Sequence, residues 1–135
     1  MDKNAPFDQL LQAAAAQPEP QRLLFVFASA ELPEDATPAQ RLRFAAGGGG
    51  ALAPLMCVGK DPAQLAGFDA LVAESRDAGP PWQVVFAAGL SGSGGRPPDA
   101  AQIEQALQAM VERVRSGQIE GLLALDASGD MLQLE

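Results

Sequence analysis

The segment Gly89-Leu90-Ser91-Gly92-Ser93-Gly94-Gly95-Arg96-Pro97-Pro98 gathers residue types that can hold an anion. The amides of Gly94 and Gly95, the hydroxyls of Ser91 and Ser93 and the Arg96 guanidinium are all donors. They lead from an apolar run into a helix start, where unpaired backbone N–H groups attract negative charge. Lys60 follows a second apolar run and could support the same charge, because ligands in open α/β sheets gather beyond the carboxyl ends of strands. The chemistry would be binding of a phosphate or a carboxylate. Against it, the segment lacks the Gly-Lys-Ser or Gly-Lys-Thr ending of a P-loop, and Asp99 sets a carboxylate at the helix start. The plainer reading is a loop that binds nothing. Gly47 to Gly50 precedes a strand and reads as a connector.

Three other groups could do chemistry. Cys57 lies three residues before Lys60, whose charge would favour a thiolate, but the neighbouring Leu55, Met56 and Val58 predict an inert, buried thiol. Glu31, Glu34 and Asp35 supply oxygen ligands for Mg²⁺ or Ca²⁺ without calcium-loop spacing, so a solvated acidic loop is expected there. Asp126 and Asp130 read as turn formers. Trp82, after Pro80-Pro81, is expected to pack at the sheet margin rather than to serve as a stacking platform.

The chain of 135 residues has no histidine, no tyrosine and one cysteine. Ser-His-Asp and Cys-His catalysis, imidazole metal ligation and a structural zinc site are therefore out of reach within one chain. No cofactor is expected. A lone cysteine makes no intrachain disulfide, and the first ten residues carry Asp2 and Asp8 without an apolar stretch, so a soluble cytoplasmic protein is expected. No run approaches the roughly 18 apolar residues of a membrane span. The formal net charge of −8 opposes attraction to nucleic acid and to anionic membranes.

The elements that would position these groups follow a repeated pattern: an apolar run, a turn, then a helix start. The runs are Leu23 to Ala28, Leu52 to Val58 and Val84 to Ala88. The starts are Thr37-Pro38-Ala39-Gln40, Asp61-Pro62-Ala63-Gln64 and Asp99-Ala100-Ala101-Gln102, each a cap residue with Gln three positions on. The third helix carries the stripe Ile103, Leu107, Met110, Val111 and Val114 and a terminal Gly117. The second places Leu65, Phe68, Leu71, Val72 and Ser75 on one side and stops at Gly79-Pro80-Pro81. A leading helix spans about Phe7 to Gln17, a short one Pro38 to Ala46, and residues 119–134 form a hairpin around an Asp-Ser-Gly turn. Pro54 moves its strand to an edge or a bulge.

One domain over residues 1–135 follows, of α/β class, with a mixed sheet of about four or five strands in the order αβαβαβαββ. The alternative is α+β, with residues 23–58 forming a long hairpin around an excursion.

The stretches Gln17 to Phe27, Ala53 to Val58 and Trp82 to Gly92 resemble a family of short proteobacterial proteins, many labelled "ribonucleotide reductase subunit alpha". The likeness covers nearly the whole chain and implies no catalytic residues. Reductase chemistry itself is excluded, because it requires several cysteines and only Cys57 is present. A fainter likeness of element order is to the N-terminal domain of SseB-like proteins. The expectation is a small non-enzymatic interaction or regulatory module with a protein partner. An anion-binding protein using Ser91, Ser93, Gly94, Gly95, Arg96 and Lys60 is the alternative, and pairing of two copies through a sheet edge is open to either.

Overall fold

The computed structural model describes residues 5–31, 38–39 and 51–132. In order they form α1 (Ala5–Ala15), β1 (Gln21–Glu31), β2 (Ala51–Lys60), a 3₁₀ turn (Pro62–Gln64), α2 (Phe68–Ala78), β3 (Val84–Ser91), α3 (Ala100–Arg115) and β4 (Leu123–Leu125). The strands make one sheet in the order β2-β1-β3-β4.

β1 is the spine of the fold, because its residues alternate between two cores. Leu23, Phe25 and Phe27 point to one face, where Phe7 of α1 and Phe68, Leu71 and Val72 of α2 cover them. Leu24, Val26 and Ala28 point to the other, beneath Met110 and Val114 of α3. This double covering is why residues 23–28 are apolar without interruption. A three-layer α/β domain results, as the run-and-helix pattern predicts.

Within that class the sheet is antiparallel at every pair rather than mixed. β1 and β2 form the long hairpin of the alternative reading, with Glu31 opposite Ala51 and Leu23 opposite Lys60. The end of β1 and the start of β2 are thus neighbours in the sheet, as an antiparallel pair of successive strands allows. On the other side of β1, Gln21 to Ala28 pairs with Ser91 to Val84. Pro54 sits where expected: β2 is an edge strand, and the β1–β2 register shifts between Phe27 and Ala28, which leaves Leu55 as an extra residue beside Pro54.

The helix starts behave differently from one another. Asp99 caps α3 as a full capping box: its carboxylate accepts from Gln102 N at 2.8 Å, and the Gln102 side chain accepts from Asp99 N at 2.9 Å. Its far end closes through Gln118 N to Arg113 O and Gly117 N to Val114 O, the double bond pattern of a Schellman motif. Asp99→Ala is expected to lower stability by about 1 kcal/mol, measured by urea unfolding with an unchanged slope. Asp61, in contrast, bonds Ala63 N and starts only a 3₁₀ turn. Leu65 is extended, with φ −85° and ψ 118°, and α2 begins afresh at Phe68 after Gly67. Leu65 and Phe68 both pack on the α1/α2 core, which an unbroken helix through Gly67 is not needed to achieve. The helix expected at 38–46 lies outside the described residues apart from helical Pro38 and Ala39, as do Glu34, Asp35 and Gly47 to Gly50.

At the C-terminal side, Asp126 makes the expected turn, its carboxylate accepting from Ser128 N at 2.8 Å and Asp130 N at 3.0 Å. The returning arm is one bridge, Leu125 to Met131, rather than a full strand within the described residues. No helix among the described residues is long and apolar enough to cross a membrane.

Candidate functional site

The glycine-rich loop is a tight turn. Ser93 and Arg96 exchange both backbone hydrogen bonds at 3.0 Å. Gly94 and Gly95 between them have φ of 60° and 78°, the pair of left-handed positions a type I′ turn demands and glycine supplies. The turn is anchored from behind: Gly92 N donates to Pro20 O at 2.8 Å, and Gln21 Nε2 bonds Ser91 Oγ.

An anion does occupy a loop amide, and it belongs to the chain itself. Gly95 N donates to the Glu19 carboxylate at 2.8 Å. The α3 N-terminus is satisfied by Asp99. Ser93, Gly94, Gly95 and Arg96 thus share one turn, with Ser91 at the end of β3 just before it, and the exposed Arg96 side chain has no partner in the described residues. Lys60 stands apart, on β2 with β1 between it and β3, and pairs with Glu74 of α2.

Beside this turn opens a broad cleft of about 730 Å³ that the sequence reading did not find. Its walls are the end of α1 at Gln12 and Ala15, the Glu19 to Arg22 segment, the turn at Asp61 to Ala63, and Pro97. Each wall has a local cause. The chain leaves α1 at Pro18, which cannot extend the helix, and Pro20 delivers it into β1. Arg22 is held by its own neighbour, Nη1 donating to Gln21 O at 3.3 Å, and lies 3.9 Å from Asp61. Gln21 also donates to Glu19 O at 3.1 Å. Glu19, Gln21 and Arg22 are consequently tied to the chain before any ligand arrives.

The charge of the cleft is acidic on balance. Glu19 and Asp61 face one cation, Arg22, and the last turn of α1 has no basic residue to offset its carbonyl end. No group of three or more His, Cys, Asp or Glu residues that could hold a metal occurs among the described residues.

Cys57 differs from its expected placement. It is exposed on the outermost strand, opposite Val26. The apolar run around it predicts burial, but an edge strand has no neighbour beyond it. Ile103 of α3 comes down over Gly59 instead, where an added Cβ would meet it at 2.9 Å. Trp82 is packed as expected, its ring 5.1 Å from that of Phe27 and its Nε1 donating to the buried Ser75 Oγ at 2.8 Å.

No protein-family model, curated protein or solved structure matches this chain.

Proposed function

We propose that this protein is a small non-enzymatic interaction module of the cytoplasm, and that the cleft beside the Ser93–Arg96 turn is its recognition surface. One observation carries the reading: an open cleft of about 730 Å³ in which Glu19, Gln21 and Arg22 are already hydrogen-bonded within the chain. A pre-ordered surface of this kind loses little side-chain entropy on binding. The partner it suits is a protein presenting a basic segment, because Glu19, Asp61 and the α1 carbonyl end outweigh Arg22, and the whole chain carries −8. An exposed, unpaired Cys57 suits a reducing compartment.

The test is capture from cell extract with single-site variants. Ala63→Arg places bulk and positive charge in the cleft, whereas Gln105→Arg places the same group on α3, across the sheet. Loss of a bound protein with Ala63→Arg and its retention with Gln105→Arg support the proposal. Equal capture by both variants removes the cleft from recognition.

A second reading keeps the turn as an anion site, since the Gly95 amide already takes a carboxylate. An external phosphate or carboxylate would displace Glu19 and draw on Arg96, with Ser91, Ser93 and Gly94 beside it. At 100 times its dissociation constant such a ligand adds about 2.7 kcal/mol of stability. Arg96→Ala is expected to abolish that gain, and equal stabilisation of the variant excludes Arg96 from the site.

A further inference from the structure

A separate hollow lies where the end of α2 meets Pro81, Trp82 and the turn containing Ala127. It encloses about 320 Å³, at the low end of small-molecule sites and suited to a body of one or two rings. We propose that it binds a small carboxylate with a flat apolar body, an arylcarboxylate in chemical class, with Arg76 taking the carboxylate.

Three observations converge on that ligand. First, the wall is rigid. Trp82 is 8 % exposed, its indole N–H is fixed to Ser75 and its ring rests on Phe27, so the face it offers is already in place.

Second, the hollow has an uncommitted cation. Among the described residues Arg22 lies against Asp61, Lys60 pairs with Glu74, Arg115 pairs with Glu112, and Arg113 donates to the carbonyls of Gln118 and Glu120. Arg76 and Arg96 alone have no such partner, and of these two Arg76 lines an apolar hollow. A guanidinium fork matches one carboxylate with two parallel hydrogen bonds.

Third, Arg76 carries the one uncommitted side-chain donor of the lining, since the Trp82 indole N–H is already bonded to Ser75. Pro81 has no N–H, and the Gly79 amide is committed to Ser75 O at 3.2 Å. The Asp126 carboxylate, next to Ala127, is occupied by the amides of Ser128 and Asp130. One planar cation against an aromatic wall selects a single carboxylate on a flat body. A phosphate, which needs several donors, is poorly served.

The sole tryptophan is the reporter, and the chain has no tyrosine. Trp82 emission and the single indole N–H resonance are followed while purified protein is titrated with benzoate, phenylacetate, benzyl alcohol and inorganic phosphate. Arg76→Gln is run in parallel; it breaks no hydrogen bond or ion pair among the described residues. The expected result is a saturable response to the two carboxylates only, with the dissociation constant raised about tenfold in Arg76→Gln, the loss that follows removal of a charge-assisted hydrogen bond. The proposal is overturned if neither signal saturates with a carboxylate, if Arg76→Gln binds as tightly as wild type, or if benzyl alcohol or phosphate binds equally well. Because the hollow is remote from Ala63 and Arg96, its outcome is independent of the cleft.

Discussion

Phe25→Ala is expected to destabilise the protein by about 3–5 kcal/mol, a loss on the order of 10–20 °C in melting temperature for a domain of this size. Phe25 is 1 % exposed at the middle of the central strand. Its ring lies 6.1 Å from that of Phe7, which in turn lies 5.3 Å from Phe68. Its backbone sits between Val58 of β2 and Ala87 of β3. Truncation therefore opens a cavity where α1, α2 and the sheet meet, and no single element can collapse to fill it. Urea unfolding measures the loss. Met131→Ala is the control: at 64 % exposure it should change stability by less than about 0.5 kcal/mol. A Phe25→Ala loss no larger than that of the control would contradict the double-cored sheet.

Gly92→Ala should have the second largest effect, about 3 kcal/mol, at the upper end of overpacking costs. An added Cβ would lie 1.8 Å from Arg96 O, 2.8 Å from Arg96 C and 2.9 Å from Pro97 Cα. All three are backbone atoms, so no side-chain rotation relieves the contact. The Ser93–Arg96 turn must open, and the bonds from Gly92 N to Pro20 O and from Gly95 N to Glu19 are expected to fail with it. Hydrogen exchange at the Gly92 and Gly95 amides should accelerate in the variant while the α3 amides beyond its first turn stay protected. Gly94→Ala separates crowding from backbone strain. Nothing lies within 4 Å of its added Cβ, and its φ of 60° costs only about 1–2 kcal/mol. A Gly92→Ala protein as stable as wild type would show that the turn does not close against Pro20.

Local features of this fold were legible in the sequence because their causes are local. The Asp99–Gln102 box, the Asp126 turn and the doubly buried runs of β1 and β3 each follow from residues within a few positions of one another. Pro54 named an edge or a bulge, and both occur together. The antiparallel order was less legible, since βα repetition suggests parallel neighbours while pairing is decided between distant runs. Cys57 shows the same limit: its apolar neighbours signal burial, but only the strand order reveals that β2 is outermost.

The loop residues were identified by type, yet the contact that defines their present role joins Gly95 to a residue 76 positions away. No spacing rule encodes that bond. The cleft was missed for a related reason. Its walls come from the end of α1, the start of β1, the Asp61 turn and Pro97, and none of these carries a motif alone. Proline positions were the available signal, since Pro18, Pro20, Pro62 and Pro97 all line it and mark where chain segments turn together.

The claim that the cleft recognises a protein is tested most directly by photo-crosslinking in the producing cell. A photoreactive residue is placed at Gln12, exposed in the cleft wall, or at Gln108, exposed on α3 across the sheet. One protein adduct of defined mass is expected from position 12, none from position 108, and the adduct should be lost when Ala63→Arg is added. An adduct from position 108 alone, or none from position 12, would contradict it.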